Sequence, residues 1–199
     1  MRHFGTDGIR ALNECFTENY LQKIALGIAS LDKDMTVTIG RDTRVSGHFI
    51  ENELIKTLTR YGVNVIRVGM VPSPTLAYLT KILNCKFGIM LSASHNPPEY
   101  NGIKLFNSSG EKVEEEIELN VESVIDNPVF LEEKEGKVTT FEGNEKYIQY
   151  LLGKVKPDLK GIKILLDTAN GATSAIAPRL FSLAGAIVTQ INGETDGIN

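Results

Sequence analysis

Between Phe87 and Leu91 every residue is apolar or glycine. A short run without alternation is the pattern of a strand covered on both faces. Such a strand needs helices above and below it, and so an α/β layer structure. The run then stops abruptly. Ser92-Ala-Ser94-His95-Asn96-Pro97-Pro98 is small and polar, and its two prolines prevent a strand or helix from continuing. Ser94 is therefore expected just past the carboxyl end of a buried strand, where open α/β sheets bind ligands. With His95 and Asn96 beside it and Lys104 shortly after, its hydroxyl is a candidate nucleophile with donors at hand. The bland alternative is a Ser/Asn/Pro turn that only reverses the chain.

The rest of the chain supplies the layers. Thr17 caps a helix whose inner stripe is Leu21, Ile24, Ala25 and Ile28. Met35 to Ile39 is a strand that leads into the polar loop Gly40-Arg41-Asp42-Thr43-Arg44-Val45-Ser46-Gly47. A second helix carries Ile50, Leu54, Ile55, Leu58 and Tyr61, and Gly62 ends it. Val63 to Val68 is a strand, Pro72-Ser73-Pro74 a break, and a third helix carries Leu76, Leu79 and Leu83. Gly102 to Phe106 reads as one more strand, and Phe4 to Arg10 as a turn. A helix from about Glu114 to Ile125 has Val113, Ile117, Val121 and Val124 on one side, its glutamates forming a solvated face. The expected fold is α/β, a mixed, mostly parallel sheet between helices, over residues 1–130. Residues 131–156 read as a charged linker with a short helix. A second α/β unit opens over 157–199, with strands Ile162 to Leu166 and Ala186 to Ile191 around a helix that ends at Gly185.

Composition excludes several classes of function. The 199 residues are 42% hydrophobic and 23% charged, as in ordinary globular proteins. A net charge of −4 argues against general nucleic-acid binding. No apolar run is long enough to span a bilayer, and the polar start Met1-Arg-His-Phe-Gly carries no secretory signal. Cys15 and Cys85 form neither a disulfide framework nor a metal pattern, so free thiols in a cytoplasmic protein are expected. His3 and His48 read as surface or packing residues. Against the acidic background, Arg10, Arg41, Arg44 and Lys104 all fall in loops beside strand ends, where cations and backbone N–H groups suit phosphate oxygens. Taken singly, each is better explained as an exposed surface cation. Neither of the common glycine-rich nucleotide motifs is present, nor is the G-x-S-x-G of hydrolases.

Five segments occur in one order: Phe4-Gly-Thr-Asp-Gly-Ile-Arg10, Gly40 to Gly47, Pro72-x-Pro74, Ser92-Ala-Ser-His-Asn-Pro97 and Asn101-Gly-Ile-Lys104. Together they resemble the α-D-phosphohexomutases, most closely the bacterial phosphoglucosamine mutases. Asp167-x-Ala-Asn-Gly-Ala172 fits the second domain of that family. The resemblance implies that Ser94 carries a phosphoryl group. It passes that group to a hexose monophosphate, forms a hexose 1,6-bisphosphate and takes back the other phosphate. It also implies that Mg²⁺ bridges the phosphoserine and three aspartates of a second-domain loop, so that Ser94 reaches the metal through its phosphate. His95 and Asn96 would frame the phosphate. Arg10 and Lys104 would serve acid–base or charge-stabilising roles, Lys104 being favoured for proton transfer because the arginine pKa is so high. Arg41, Arg44 and Asn101 complete the expected phosphate-binding set. Ala11 and Tyr100 depart mildly from the family pattern.

The family's metal loop, third-domain sugar loop and fourth-domain phosphate clamp have no counterpart in the sequence. The expectation is a truncated N-terminal portion, inactive alone, that acts on glucosamine 6-phosphate when complete and self-associates through its unfinished second unit. A phosphomannomutase/phosphoglucomutase is the alternative enzyme. A non-catalytic module that binds sugar phosphate or a partner is the alternative of another class.

Overall fold

The computed structural model describes residues 2–198. Six strands form one sheet: β1 (Ile9–Leu12), β2 (Thr36–Arg41), β3 (Asn64–Met70), β4 (Phe87–Leu91), β5 (Tyr100–Asn107) and β6 (Val138–Thr140). Their order is β1-β5-β4-β2-β3-β6. β4, β2, β3 and β6 run parallel, whereas β5 is antiparallel to both β4 and β1. The expected α/β fold, with its mixed and mostly parallel sheet, is the observed one.

Five helices cover this sheet: α1 (Glu18–Ala29), α2 (Ser46–Arg60), α3 (Ser73–Ile82), α4 (Glu115–Asp126) and α5 (Gly143–Val155). The α1 stripe Leu21, Ile24, Ala25 and Ile28 is buried with Ile50, Leu54 and Leu58 of α2 and Val121 and Ile125 of α4, against Val37, Ile39, Ile89 and Leu91 of the sheet. Met90 points to the opposite face and joins Val68, Val71, Leu76 and Leu79. All five residues of β4 are buried, as a central strand between two helical layers must be. The α1 cap is made as expected, the Thr17 hydroxyl accepting the Tyr20 N–H.

Four local readings are corrected. The end of the Phe4 to Arg10 turn is strand, because Ile9 to Leu12 pair with Ile103 to Tyr100. Ser73-Pro74 lies inside the first turn of α3, where the missing proline N–H is harmless. The segment 131–156 is no free connector: β6 adds to the sheet beside β3, and Tyr150 of α5 stacks on Tyr78 of α3 with ring centroids 4.2 Å apart. The α4 glutamates are not all solvated. Glu122 is buried and accepts the backbone N–H groups of His3 and Phe4 at 2.5 and 2.6 Å, and buried Glu118 pairs with Lys112.

Residues 163–191 form a second unit in which β7 (Lys163–Asp167) and β8 (Ile187–Ile191) pair in parallel around α6 (Ala177–Leu183). Leu165 is 69% exposed and Ile187 57%, so one face of this two-stranded sheet has no cover. The chain then returns to the first unit. Gly197 has φ +81°, and a Cβ there would lie 2.4 Å from the Thr43 carbonyl oxygen, so only glycine permits this approach. No described helix is long and apolar enough to cross a membrane.

Candidate functional site

The parallel strands β2, β3 and β4 all end on one side of the sheet. Their loops, Asp42 to Arg44, Pro72-Ser73, and Ser92 with Ser94 to Pro98, line one cleft of about 700 Å³ with Lys104 of β5. The far wall comes from the second unit, through Ala169 and Gly171 to Thr173, and from the returning segment Gly197-Ile198. Asp167 at the base of that wall has its carboxyl held below the usual range by the Ala169 N–H and then by the Asn192 amide.

Ser94 stands exposed at the mouth of β4 with φ +59°, in the left-handed region. No hydrogen bond engages its hydroxyl among the described residues, which leaves the oxygen open to the cleft. Its own N–H donates to the Ser92 Oγ at 2.9 Å. Ser92 is 6% exposed and occupied as that acceptor, so the two serines have different chemistry despite sharing a motif. His95 and Asn96 line the cleft beside Ser94.

The expected cations separate into distinct places. Lys104 reaches the cleft, its Nζ 2.5 Å from Asp7 Oδ2. Arg10 lies on β1, 3.9 Å from the same carboxylate and outside the cleft lining. Arg41 is turned away under α2, with its Nε 3.5 Å from Glu51 Oε2; Glu51 is itself buried and held by Arg67. Arg44 touches the cleft but is 7% exposed, and its donors meet Asp42 and the carbonyls of the serine loop. Asn101 is fully buried, its amide donating to Ser46 Oγ at 2.8 Å and its oxygen accepting the Gly102 N–H. Arg41 and Asn101 thus belong to the frame under the site rather than to its wall. Of the four cations expected around one serine, only Lys104 and Arg44 are brought to the cleft.

Three contributors escaped the sequence reading. Asp7 sits inside the Phe4 to Arg10 segment and partners Lys104. Asn13 braces the other end of the serine loop, its N–H and side-chain amide donating to the Glu99 and Pro98 carbonyls at 2.7 and 3.0 Å. Asp42 fixes Arg44. Asp7 and Asp42 lie within two of the five ordered motifs, so motif membership was a usable signal; Asn13 had none, because Pro98 is 85 residues away in sequence.

Residues 1–132 match the family described as phosphoglucomutase/phosphomannomutase, alpha/beta/alpha domain I. The chain is 42% identical over 208 residues to the phosphoglucosamine mutase of Finegoldia magna, covering 100% of this chain and 46% of that one. It is also 42% identical to the phosphoglucosamine mutase of Anoxybacillus flavithermus, with 47% of that relative covered. The chain therefore spans about half the length of the curated relatives it matches. A phosphoglucomutase/phosphomannomutase family protein of Burkholderia thailandensis has the same fold, with a TM-score of 0.83 at 22% identity over 100% of this chain and 46% of its own. By motif order, matched domain and fold, the chain belongs to the phosphoglucomutase/phosphomannomutase family, the α-D-phosphohexomutases, within which it is similar to phosphoglucosamine mutases at 42% identity.

Proposed function

We propose that this chain supplies the phosphoryl-carrying serine of a phosphoglucosamine mutase, with Ser94 as the carrier. The observation that carries the reading is the free, exposed hydroxyl of Ser94 at the carboxyl end of the central strand, facing a cleft that Lys104 enters. In the forward step phosphoserine passes its phosphoryl group to a hydroxyl of a hexose monophosphate. The bond from phosphorus to Ser94 Oγ breaks, a bond to the sugar oxygen forms, and the sugar hydroxyl proton leaves as Oγ regains one. Return transfer from the other phosphate of the bisphosphate restores phosphoserine. Such a transfer needs position and positive charge more than covalent help. Lys104 provides an ammonium that must exchange Asp7 for phosphate oxygens, and it is the favoured proton carrier, with Arg10 beside the same carboxylate in a charge-stabilising role. His95 and Asn96 frame the phosphate.

Mg²⁺ is part of the expected chemistry and, if bound, would supply positive charge near the transferring oxygens. The residues of this chain do not fit it by themselves. No group of three or more His, Cys, Asp or Glu converges among the described residues, and Ser94 would reach the ion only through its phosphate. The preference for glucosamine over mannose or glucose phosphate is supported by the names of the relatives at 42% identity.

Peptide mass mapping tests the assignment. Protein expressed from the complete reading frame is exposed to a hexose 1,6-bisphosphate. Ser92 and Ser94 share the peptide Phe87 to Lys104; fragmenting it is expected to place the phosphate on Ser94, and the phosphate is lost in Ser94→Ala. Phosphate on Ser92, or full activity in Ser94→Ala, overturns it. Rates with glucosamine 6-phosphate against mannose 6-phosphate decide the sugar.

A further inference from the structure

Arg44 has a role that its charge alone does not suggest. A guanidinium carries five N–H donors in a rigid fork. In this structure all five are matched. Nε donates to Asp42 Oδ2 at 3.1 Å, Nη1 to the Pro97 and Tyr100 carbonyls at 2.6 and 2.8 Å, and Nη2 to the Ser94 and Asn96 carbonyls at 3.0 and 2.6 Å. The Arg44 backbone N–H is bound to the other Asp42 oxygen at 3.0 Å. A side chain so engaged has no donor left for a ligand unless it releases the loop.

We propose that Arg44 is a positioning residue, a clamp that together with the Ser92 hydroxyl sets the backbone of Ser94. The two act on opposite sides of the serine. Ser92 Oγ holds its N–H and Arg44 holds its carbonyl, so both flanking peptides are fixed while φ stands at +59°. In a trans peptide the carbonyl and the next N–H point in opposite directions, and no cis peptide occurs among the described residues. With the Ser94 carbonyl drawn onto Arg44, the His95 N–H must face away from the guanidinium. That N–H has no hydrogen-bond partner among the described residues, so the clamp also presents a free backbone donor next to the serine oxygen. Lysine cannot replace this arrangement, because it offers three donors from a single point. The inference uses the proposed function only in taking Ser94 as the group to be positioned. Its test reads loop geometry without turnover, so the two readings fail separately.

The test is NMR on the 199-residue chain, comparing wild type, Arg44→Lys, Ser92→Ala and Arg44→Ala with and without added guanidinium ion. In Arg44→Lys the Asn96 and Tyr100 amides, which bond to the Ala93 and Pro97 carbonyls, should lose about tenfold in exchange protection. Core amides such as Leu54 keep theirs. The Ser94 amide–Hα coupling should leave its positive-φ value in Arg44→Lys, shift partway in Ser92→Ala, and return toward wild type when guanidinium is added to Arg44→Ala. In wild type the Arg44 Nε–H signal should not move as inorganic phosphate is titrated. A saturable phosphate-dependent shift of that signal, or unchanged protection and coupling in Arg44→Lys, overturns the proposal and makes Arg44 a phosphate ligand or a bystander. If Arg44→Ala fails to fold, the charge-conserving variant and the wild-type titration still decide.

Discussion

Ser94 holds a backbone conformation that an L-residue reaches at a cost of about 1–2 kcal/mol, and among the described residues its side chain makes no hydrogen bond that would offset it. Two substitutions separate the backbone from the hydroxyl. Ser94→Gly should raise stability by up to about 1 kcal/mol, because glycine tolerates φ +59°. Ser94→Ala should leave stability within about 0.5 kcal/mol of wild type while abolishing phosphorylation. Urea denaturation of both variants checks this; a large loss in Ser94→Ala would mean that the hydroxyl is structural. The thiols give a second check at this scale. Cys85 is fully buried and desolvation pushes its thiol up to about 11, whereas Cys15 is exposed. A thiol reagent at pH 8 should therefore modify Cys15 quickly and Cys85 only on unfolding. Because burial lifts the Cys85 thiol above its ordinary 9.0, this contribution to stability is complete below pH 9 and is lost as pH rises toward about 11.

Between helices, packing overrules propensity in one place and not in another. Gly27 faces α4, and a Cβ added there would sit 2.9 Å from Val121 Cγ1 and 3.0 Å from its carbonyl oxygen. Alanine should gain up to about 1 kcal/mol of helix propensity but lose about 1–3 kcal/mol to overpacking, a net destabilisation. Gly153, in α5, has nothing within 4 Å of the same added atom, so Gly153→Ala should stabilise by about 0.5–1 kcal/mol. Opposite shifts in melting temperature are the expected result. Matching shifts would show that the contact between α1 and α4 yields easily.

For the whole molecule, the weak part is the β7–α6–β8 unit. Ile162, Leu165, Ile187 and Ile191 are 49%, 69%, 57% and 42% exposed, on a parallel pair of the kind normally buried on both faces. The 199 residues should either self-associate through this unit or exchange its amides rapidly, while the six-stranded sheet stays protected. A strict monomer by light scattering with strong protection from Ile162 to Ile191 would contradict this. The same 199 residues should show no steady-state turnover of glucosamine 6-phosphate with Mg²⁺, since no described acidic cluster holds the ion. Robust turnover would remove that argument.

What the sequence determined is what local chemistry can encode. The apolar run of β4, the helical stripe Leu21 to Ile28 and the turn that exposes Ser94 depend on neighbours a few residues away, and each lies where periodicity and turn chemistry put it. What the tertiary structure decided is which polar groups meet. Arg41 and Arg44 are three residues apart in one motif, yet one pairs with buried Glu51 and the other with four carbonyls from 94–100. Glu122 reads as one of several helix glutamates until the amino-terminal segment is laid across it. β1 and β6 are short edge strands whose extended form comes from the partner strand rather than from their own residues. A side chain buried among distant partners is fixed by desolvation and hydrogen-bond satisfaction, and neither quantity exists until the chain has folded around it.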